Sequence, residues 1–285
     1  MQDQNNFALG NVSQHILHIA GPMIVAQFIN ILYNVVDRIY IGRLPDVATL
    51  AMSGLGLCLP LISIIIAFAN LFGMGGSPLC SIARGSGDHD LAEEIMGNSF
   101  SLLILFSVLI MIIGLLFKEP LLWAFGASQN TITYANDYMS IYLLGTPFVL
   151  IGLGMNSFIN SQGFAKIGMM TVLLGAVTNI ILDPIFIFVL AMGVKGAALA
   201  TVISQFVSAL WTFQFLTGQK TILKLKKERL KLKIKHVKKI FALGMAGFMM
   251  GLTNSVVTIV CNATLQTYGG DFYIAIMTII NSIRE

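Results

Sequence analysis

Charge is the scarcest property of this 285-residue chain, since Asp, Glu, Lys and Arg together make up only 11% of its residues. Hydrophobic residues make up 56%, and the mean hydropathy is +0.83. A typical soluble domain carries about 25% charged residues. The scarcity of charge therefore excludes a soluble protein of this length and predicts a chain that crosses a membrane several times.

Cysteines and the common catalytic motifs are scarce as well. The three cysteines, Cys58, Cys80 and Cys261, lie in apolar stretches without metal-site spacing, so neither a disulfide framework nor a zinc site is expected. The sequence has no H-E-x-x-H pair, no nucleophile matched with a base and no glycine-rich phosphate loop, so we do not expect an enzyme. Residues 1–14 also lack the basic segment and short apolar core of a removable signal peptide.

Long apolar runs make up most of what is present. About 20 apolar residues suffice for a helix to cross the ~30 Å hydrocarbon core of a bilayer. The sequence therefore predicts an all-α polytopic membrane protein with eight spans, of which the last is incomplete. The predicted spans are 14–42, 50–83, 92–117, 131–158, 166–190, 194–217, 238–267 and 271–285.

The joint after the sixth span is long and basic. Ten of the seventeen Lys and Arg residues lie between Lys220 and Lys239, where Glu228 is the only acid. The positive-inside rule places this joint in the cytoplasm, and counting back six crossings places the N-terminus there too, in a multi-pass protein of the cell membrane. Such a joint could also bind anionic lipid headgroups or a nucleic acid. Because no aromatic residues are interleaved with the charges, we expect contact with the bilayer and no nucleic-acid partner.

The region after this joint resembles the start of the chain. Residues 16–46 align with residues 240–271 when one residue is inserted, and such repeats are an established transporter plan. The sequence ends inside an apolar run, which predicts that further C-terminal helices of the same chain are missing and would be its partners. The expected units are a six-helix N-terminal lobe at 1–217, a basic cytoplasmic linker at 218–237 and the start of a C-terminal lobe at 238–285.

Few acids lie at membrane depth. Of thirteen acidic residues, only Asp37 and Asp183 lie well inside predicted spans, with Asp137 near the start of the fourth. An ionised side chain at this depth costs at least ~2.5 to 3.5 kcal/mol, so such residues are usually paired or functional. At ~1.5 Å per residue, both carboxylates should lie roughly 10 Å below the outer surface of the hydrocarbon core. Two simpler interpretations stay open: Asp37 pairs with Arg38 or Arg43, and Asp183 only bonds locally.

Further oxygen atoms are expected near Asp183. Asn179 lies four residues earlier, on the same helix face. Pro184 lacks a backbone N–H, so the carbonyl of Ile180 loses its usual helical partner. Tyr138 and Thr201 should lie at the same depth as the two acids, and oxygen ligands suit a hard cation or a proton. The predicted cation-binding residues are Asp37, Tyr138, Asn179, Asp183 and Thr201.

Taken in order, these motifs resemble the multidrug and toxic compound extrusion (MATE) family, nearer its bacterial and archaeal branch. The likeness covers almost all of residues 14–285. It rests on Gly21-Pro22, Asp37, Ile82-Ala83-Arg84-Gly85, Asn179-x-x-x-Asp183-Pro184, and Gly196-Ala197-Ala198 followed by Thr201. The resemblance implies twelve helices in two six-helix lobes, whereas this chain stops in the eighth predicted span.

The resemblance also implies roles for individual residues. Tyr138 maps onto the hydrogen-bond network of the family's cation site, and Asn156 onto the substrate cavity, although on a straight helix the two would lie about 27 Å apart. Pro22 is a candidate hinge because its missing N–H frees the carbonyl of His18, but static packing explains such a proline equally well. The residues that match the cation ligands, and would bind Na+ in a sodium-coupled protein, are Asp37, Asn179, Asp183 and Thr201.

The expected function is an antiporter that exports drugs and other organic compounds, cationic or amphipathic, in exchange for Na+ or H+. The partners would be small organic substrates and the lipid bilayer, with no cofactor besides the coupling ion. The alternative is a flippase for lipid-linked oligosaccharides from the same superfamily. A flippase should carry several cationic side chains in its cavity to bind pyrophosphate, and the helix interiors of this sequence hold almost none.

Overall fold

The computed structural model describes residues 12–284, which form helices without a strand in that range. This confirms the all-α class. Two short irregular helices, a π-helix at Ile185–Val189 and a 3-10 helix at Lys227–Arg229, accompany the α-helices. The α-helices are α1 (Val12–Ile41), α2 (Ala48–Gly85), α3 (His89–Ala124), α4 (Ile132–Leu144), α5 (Thr146–Ser161), α6 (Ala165–Pro184), α7 (Val194–Thr217) and α8 (Ile234–Arg284).

Membrane-spanning helices account for most of this length. Within the described residues, six helices are long and apolar enough to cross a membrane, and the pair α4 and α5 passes the same test when the two are taken together. The polytopic membrane architecture is therefore confirmed.

The span predicted at 131–158 is bent rather than straight. α4 and α5 meet at Gly145 with a bend of 58°. Pro147 supplies a physical reason, because it removes the N–H that would bond the carbonyl of Leu143. The distance estimated along a straight helix between Tyr138 and Asn156 consequently does not apply.

The last two predicted spans lie within the single run of α8. The run is broken at Gly270, whose backbone (φ 67°, ψ −167°) is not helical. Only glycine adopts this conformation without strain. The break falls between predicted spans 238–267 and 271–285, so the sequence located both arms and their joint.

α2 lies at the centre of the fold and packs against α3, α4, α5 and α8. Its glycines allow close approach: a Cβ at Gly73 would lie 2.6 Å from the carbonyl oxygen of Gly154 in α5. On the α8 side, Ser255 Oγ donates to the carbonyl of Pro60 at 2.9 Å, and Asn262 Nδ2 donates to the carbonyl of Gly56 at 3.1 Å. α8 thus packs chiefly along α2, and the division into two lobes stays a prediction.

The basic linker is docked on the start of α3 by ion pairs. The carboxylate of Glu94 contacts Arg229 at 2.9 Å, Lys233 at 2.7 Å and His236 at 3.3 Å. Glu93 pairs with Lys226 at 2.7 Å. Acidic residues carry little weight in the positive-inside rule. Here two of them, Glu93 and Glu94, hold the linker in place.

Hydrogen bonds to uncharged side chains also hold the linker, chiefly in its first part. Gln162, in the turn between α5 and α6, is fully buried, and its Oε1 accepts from Thr221 Oγ1 and from the N–H groups of Ile222 and Leu223, at 2.8 to 3.0 Å. Asn98 Oδ1 accepts from the N–H of Lys233 at 2.7 Å. The linker therefore covers one end of the bundle as an ordered segment.

We expect Glu94→Gln to loosen this docking, because the amide keeps the size of the side chain but loses its charge. Removing about 1–2 kcal/mol of local stability should speed amide hydrogen exchange at 221–236 roughly 5- to 30-fold. Exchange measured by mass spectrometry checks this, with Glu119→Gln, at the exposed far end of α3, as the matched control. Equal exchange in the two variants would contradict the docking role.

Candidate cation site and cavity

The contact between α1 and α6 brings two carboxyl groups together. Asp37 of α1 and Asp183 of α6 are close enough for a side-chain hydrogen bond with one another. Asp183 is fully buried, whereas Asp37 is half-buried because it faces a cavity. Two carboxyl groups in such contact within an apolar bundle require a shared proton or a cation.

The end of α6 positions Asn179 and Asp183. Both are fully buried, and Asn179 Nδ2 donates to Asp183 Oδ1 at 3.2 Å, as the spacing of four residues predicts. After Pro184 the chain widens into the π-helix Ile185–Val189. Gly196 of α7 packs against this turn so closely that a Cβ would lie 2.7 Å from the carbonyl of Phe186.

α7 and α4 add two hydroxyl groups. Thr201 Oγ1 donates to the carbonyl of Ala197 at 3.0 Å, and the Tyr138 hydroxyl is hydrogen-bonded to Thr201. Tyr138 is 4% exposed and stacks on Tyr142 with ring centroids 5.9 Å apart. The structure therefore brings all five predicted residues together, while their role as cation ligands stays a prediction.

Three oxygen atoms at this site are buried without a hydrogen-bond partner: Asp37 Oδ1, Asn179 Oδ1 and Asp183 Oδ2. Within the described part of the chain, His, Cys, Asp and Glu side chains nowhere gather in threes as a metal cluster would. Any further ligands must then be neutral oxygens, such as those of Asn179 and Thr201. Two carboxylates with neutral oxygens fit a proton or a hard monovalent cation.

The simpler interpretation, in which Asp37 pairs with Arg38, stays open, because the positive charge of Arg38 acts on the Asp37 carboxylate. The ion pairs formed within residues 12–284 do not include Asp37, although Arg38 is its chain neighbour. Arg38 is 8% exposed, and its Nε and Nη1 atoms are buried without a partner. By contrast, Asp137 pairs with Lys195 at 3.4 Å, away from the site.

A cavity of about 360 Å³ adjoins the carboxyl pair. Asp37, Tyr138 and Thr201 line it, and Arg38 is the one cation among the described residues that do so. Further polar lining residues were not predicted from the sequence: Gln27, Asn30, Asn34 and Gln205. The first three lie three and four residues apart on α1, so helical spacing of amides along the first span could have found them.

Asn156 and Pro22 lie outside the carboxyl cluster. Asn156 lines a smaller cavity of about 40 Å³ that shares Asn30, Tyr33 and Gln205 with the larger one. The bend at Gly145 allows Asn156 to line this smaller cavity. α1 continues as a helix through Pro22, so a hinge there stays a prediction.

Curated relatives are multidrug exporters. A family model described as MatE matches residues 22–185, more than half of the chain. The multidrug export protein MepA of Staphylococcus haemolyticus is 30% identical over 278 residues, which cover 94% of this chain and 60% of that protein. MepA of Staphylococcus aureus (strain MRSA252) is 28% identical over 265 residues, which cover 92% of this chain and 58% of that protein. The chain thus spans 58–60% of the length of these relatives.

Solved structures match over the same extent. The MATE multidrug transporter DinF-BH aligns with a TM-score of 0.89 and 33% identity, covering 95% of this chain and 60% of that one. An inward-facing multidrug resistance MATE family transporter of the MOP superfamily aligns with a TM-score of 0.84 and 27% identity, covering 94% and 61%. The likeness therefore extends to both sides of the basic linker.

We expect Gly196→Ala to disturb the site through packing alone. The added methyl group would push the π-helix away from α7 and displace Asp183, lowering the free energy of unfolding by about 1–3 kcal/mol. Thermal unfolding with and without Na+ measures both stability and cation binding. Gly247→Ala is the matched control, since its Cβ would meet nothing within 4 Å. Equal stability of the two variants would contradict this account of the α6–α7 contact.

Proposed function

Because this chain belongs to the MatE family, we propose that it works as part of a cation-coupled antiporter, which exports organic compounds in exchange for inward Na+ or H+. The compounds are cationic or amphipathic, since an acidic pair adjoins a cavity lined by both apolar and polar side chains. The observation that carries this proposal is the pair of carboxyl groups of Asp37, which lines the cavity, and Asp183, each with a buried oxygen that has no hydrogen-bond partner.

The proposed coupling between cation binding and substrate export depends on which residues bind the cation. A cation or proton between Asp37 and Asp183 relieves the repulsion of two carboxylates in an apolar medium and so draws α1 towards α6. Organic substrates occupy the adjoining cavity, whose wall includes Asp37. Cation binding at the pair shifts the equilibrium between the outward and inward forms of the transporter. The size of this shift is limited by the difference between the cation affinities of the two forms.

The proposed setting is the cell membrane, with the N-terminus and the basic linker in the cytoplasm. The whole transporter would include C-terminal helices that complete a second six-helix lobe, in line with the greater length of the matched relatives. The coupling ion would be the only ion that the site requires, with no resident cofactor.

A lipid-linked oligosaccharide flippase is less well supported. Its pyrophosphate substrate would need several cationic groups, and Arg38 is the single Lys or Arg among the described residues lining the cavity. Movement of lipid-linked sugar without dye efflux in vesicles would favour the flippase.

We expect Asp37→Asn and Asp183→Asn each to abolish gradient-driven efflux by the full gene product. The amide preserves size but removes a charge whose hydrogen bonds contribute about 1.5–3 kcal/mol, or roughly a 10- to 100-fold loss of cation affinity. Thr201→Ala should be milder because it removes one neutral ligand. Dye efflux from proteoliposomes under a pH or Na+ gradient measures the effect, with Asp137→Asn as the matched carboxylate control.

Wild-type efflux from both Asp37→Asn and Asp183→Asn, at equal expression and membrane insertion, would show that the pair is structural. Loss of efflux in Asp137→Asn to the same degree would show that any lost carboxylate harms the protein. Either result would remove the basis for coupling at this site.

A further inference from the structure

One face of α6 connects the carboxyl pair with the opposite end of the helix. Gly168, Thr171, Gly175 and Asn179 lie three or four residues apart, and Asp183 follows at the same spacing. We call the first four residues the α6 track. From Gly168 to Asp183 this face of α6 extends about 22 Å along the helix axis. The Gly168 end of the track lies next to the α5–α6 turn, where Gln162 binds the docked linker.

The two glycines of the α6 track make room for polar atoms of the neighbouring helices. A Cβ at Gly168 would collide with Asn160 Oδ1 and lie 3.2 Å from Asn156 Oδ1, both from α5. A Cβ at Gly175 would collide with Ser208 Oγ of α7. The glycines therefore leave space that oxygen atoms, rather than apolar side chains, occupy.

The asparagine oxygens along this face are incompletely bonded, whereas Ser208 Oγ donates to the carbonyl of Thr171 at 3.0 Å. Asn156 Oδ1, Asn160 Oδ1 and Asn179 Oδ1 are buried without a hydrogen-bond partner. Buried polar groups usually have a partner, which can be an ordered water. The small cavity of about 40 Å³ beside the track is large enough for water. Its polar lining consists of Asn30, Tyr33, Asn156, Thr171, Ser204, Gln205 and Ser208.

The larger cavity reaches only one member of the carboxyl pair. Asp37 lines the larger cavity, whereas Asp183 and Asn179 are fully buried and absent from its wall. Asn179 lies one turn above Gly175, which does line the small cavity. A monovalent cation sheds its water only where other oxygens replace it, and the side chains of α5 and α7 beside the α6 track offer such oxygens.

We propose that the α6 track is the hydrated route by which the coupling cation passes between the Asp37–Asp183 site and the cytoplasm. This inference rests on the proposed function and on its orientation in the membrane. Ser204 and Ser208 of α7 and Asn156 and Asn160 of α5 form the sides of the route, and its cytoplasmic end is the α5–α6 turn, beneath the docked linker. Organic substrates keep to the larger cavity.

Cysteine accessibility in the full gene product tests the route. Thr171→Cys, Ser204→Cys and Ser208→Cys are introduced one at a time after Cys58, Cys80 and Cys261 are replaced by alanine. A small cationic methanethiosulfonate reagent is then applied from the cytoplasmic side of inside-out vesicles. The matched controls are Val177→Cys and Ile181→Cys, on the opposite, exposed face of α6, where Val177 is 47% and Ile181 is 55% exposed.

The track cysteines should react roughly tenfold faster than the controls, because modification needs a thiolate in contact with water. Saturating Na+ at constant pH should slow the reaction of Ser204→Cys, one turn from Thr201. Protons, if they are the coupling ion, should slow it by more than the loss of thiolate slows the control cysteines. Equal, slow reaction at track and control positions would overturn the route, and so would fast reaction that no coupling cation affects.

A second measurement keeps the test independent of cysteine chemistry. Gly175→Ala should slow cation-driven efflux several-fold while leaving equilibrium cation binding, measured by thermal stabilisation, unchanged, since it narrows the route and spares the ligands. Unchanged efflux would overturn the route. If Asp37→Asn abolishes efflux while track cysteines stay unreactive, the proposed function stands and the route alone fails.

Discussion

The contact between Asp37 and Asp183 is the constraint on which the rest of the site depends. Two carboxyl groups in an apolar bundle are unfavourable together unless a proton or cation lies between them. The surrounding structure holds them in place nonetheless: α1 packs along α6, and the end of α6 is fixed by the π-helix against α7. The pair is thus a place where the chain holds an unfavourable arrangement that a proton or cation would relieve.

The basic linker shows how one charge pattern serves two purposes. By the positive-inside rule, its excess of Lys and Arg is expected to set the orientation in the membrane, an effect that depends on charge alone. Three of those cations, Lys226, Arg229 and Lys233, also pair with acids at the start of α3. Because Gln162 anchors the first part of the linker, the segment belongs to the surface of the first helices rather than to α8.

The wall of the larger cavity has a polar side and an apolar side. α1 contributes amides, Asp37 and Arg38, while α2 contributes mainly apolar side chains such as Leu55, Leu59 and Ile62. An amphipathic guest can therefore satisfy both sides. Asp37 belongs to this wall and to the carboxyl pair, so in the proposed exchange of cation for organic substrate one side chain would join the two binding regions.

The sequence by itself determined the all-α membrane class, the positions of the spans and the residues of the candidate cation site. These follow from the length of apolar runs and from the cost of charge at membrane depth, which are local properties. Asn179 and Asp183 were predictable as a pair because helical spacing sets their distance. The amides of α1 follow the same spacing rule, but uncharged side chains cost less at membrane depth and so give a weaker signal.

Only the tertiary structure decided the bend at Gly145, the docking of the linker and the polar face of α6. Pro147 permits a bend but does not require one, and packing of α5 against α2 and α7 selects it. The partners of Glu94 and Gln162 lie more than fifty residues away along the chain. Contacts of this kind depend on which helices become neighbours, and that choice depends on how all the apolar faces are buried at once rather than on any local pattern.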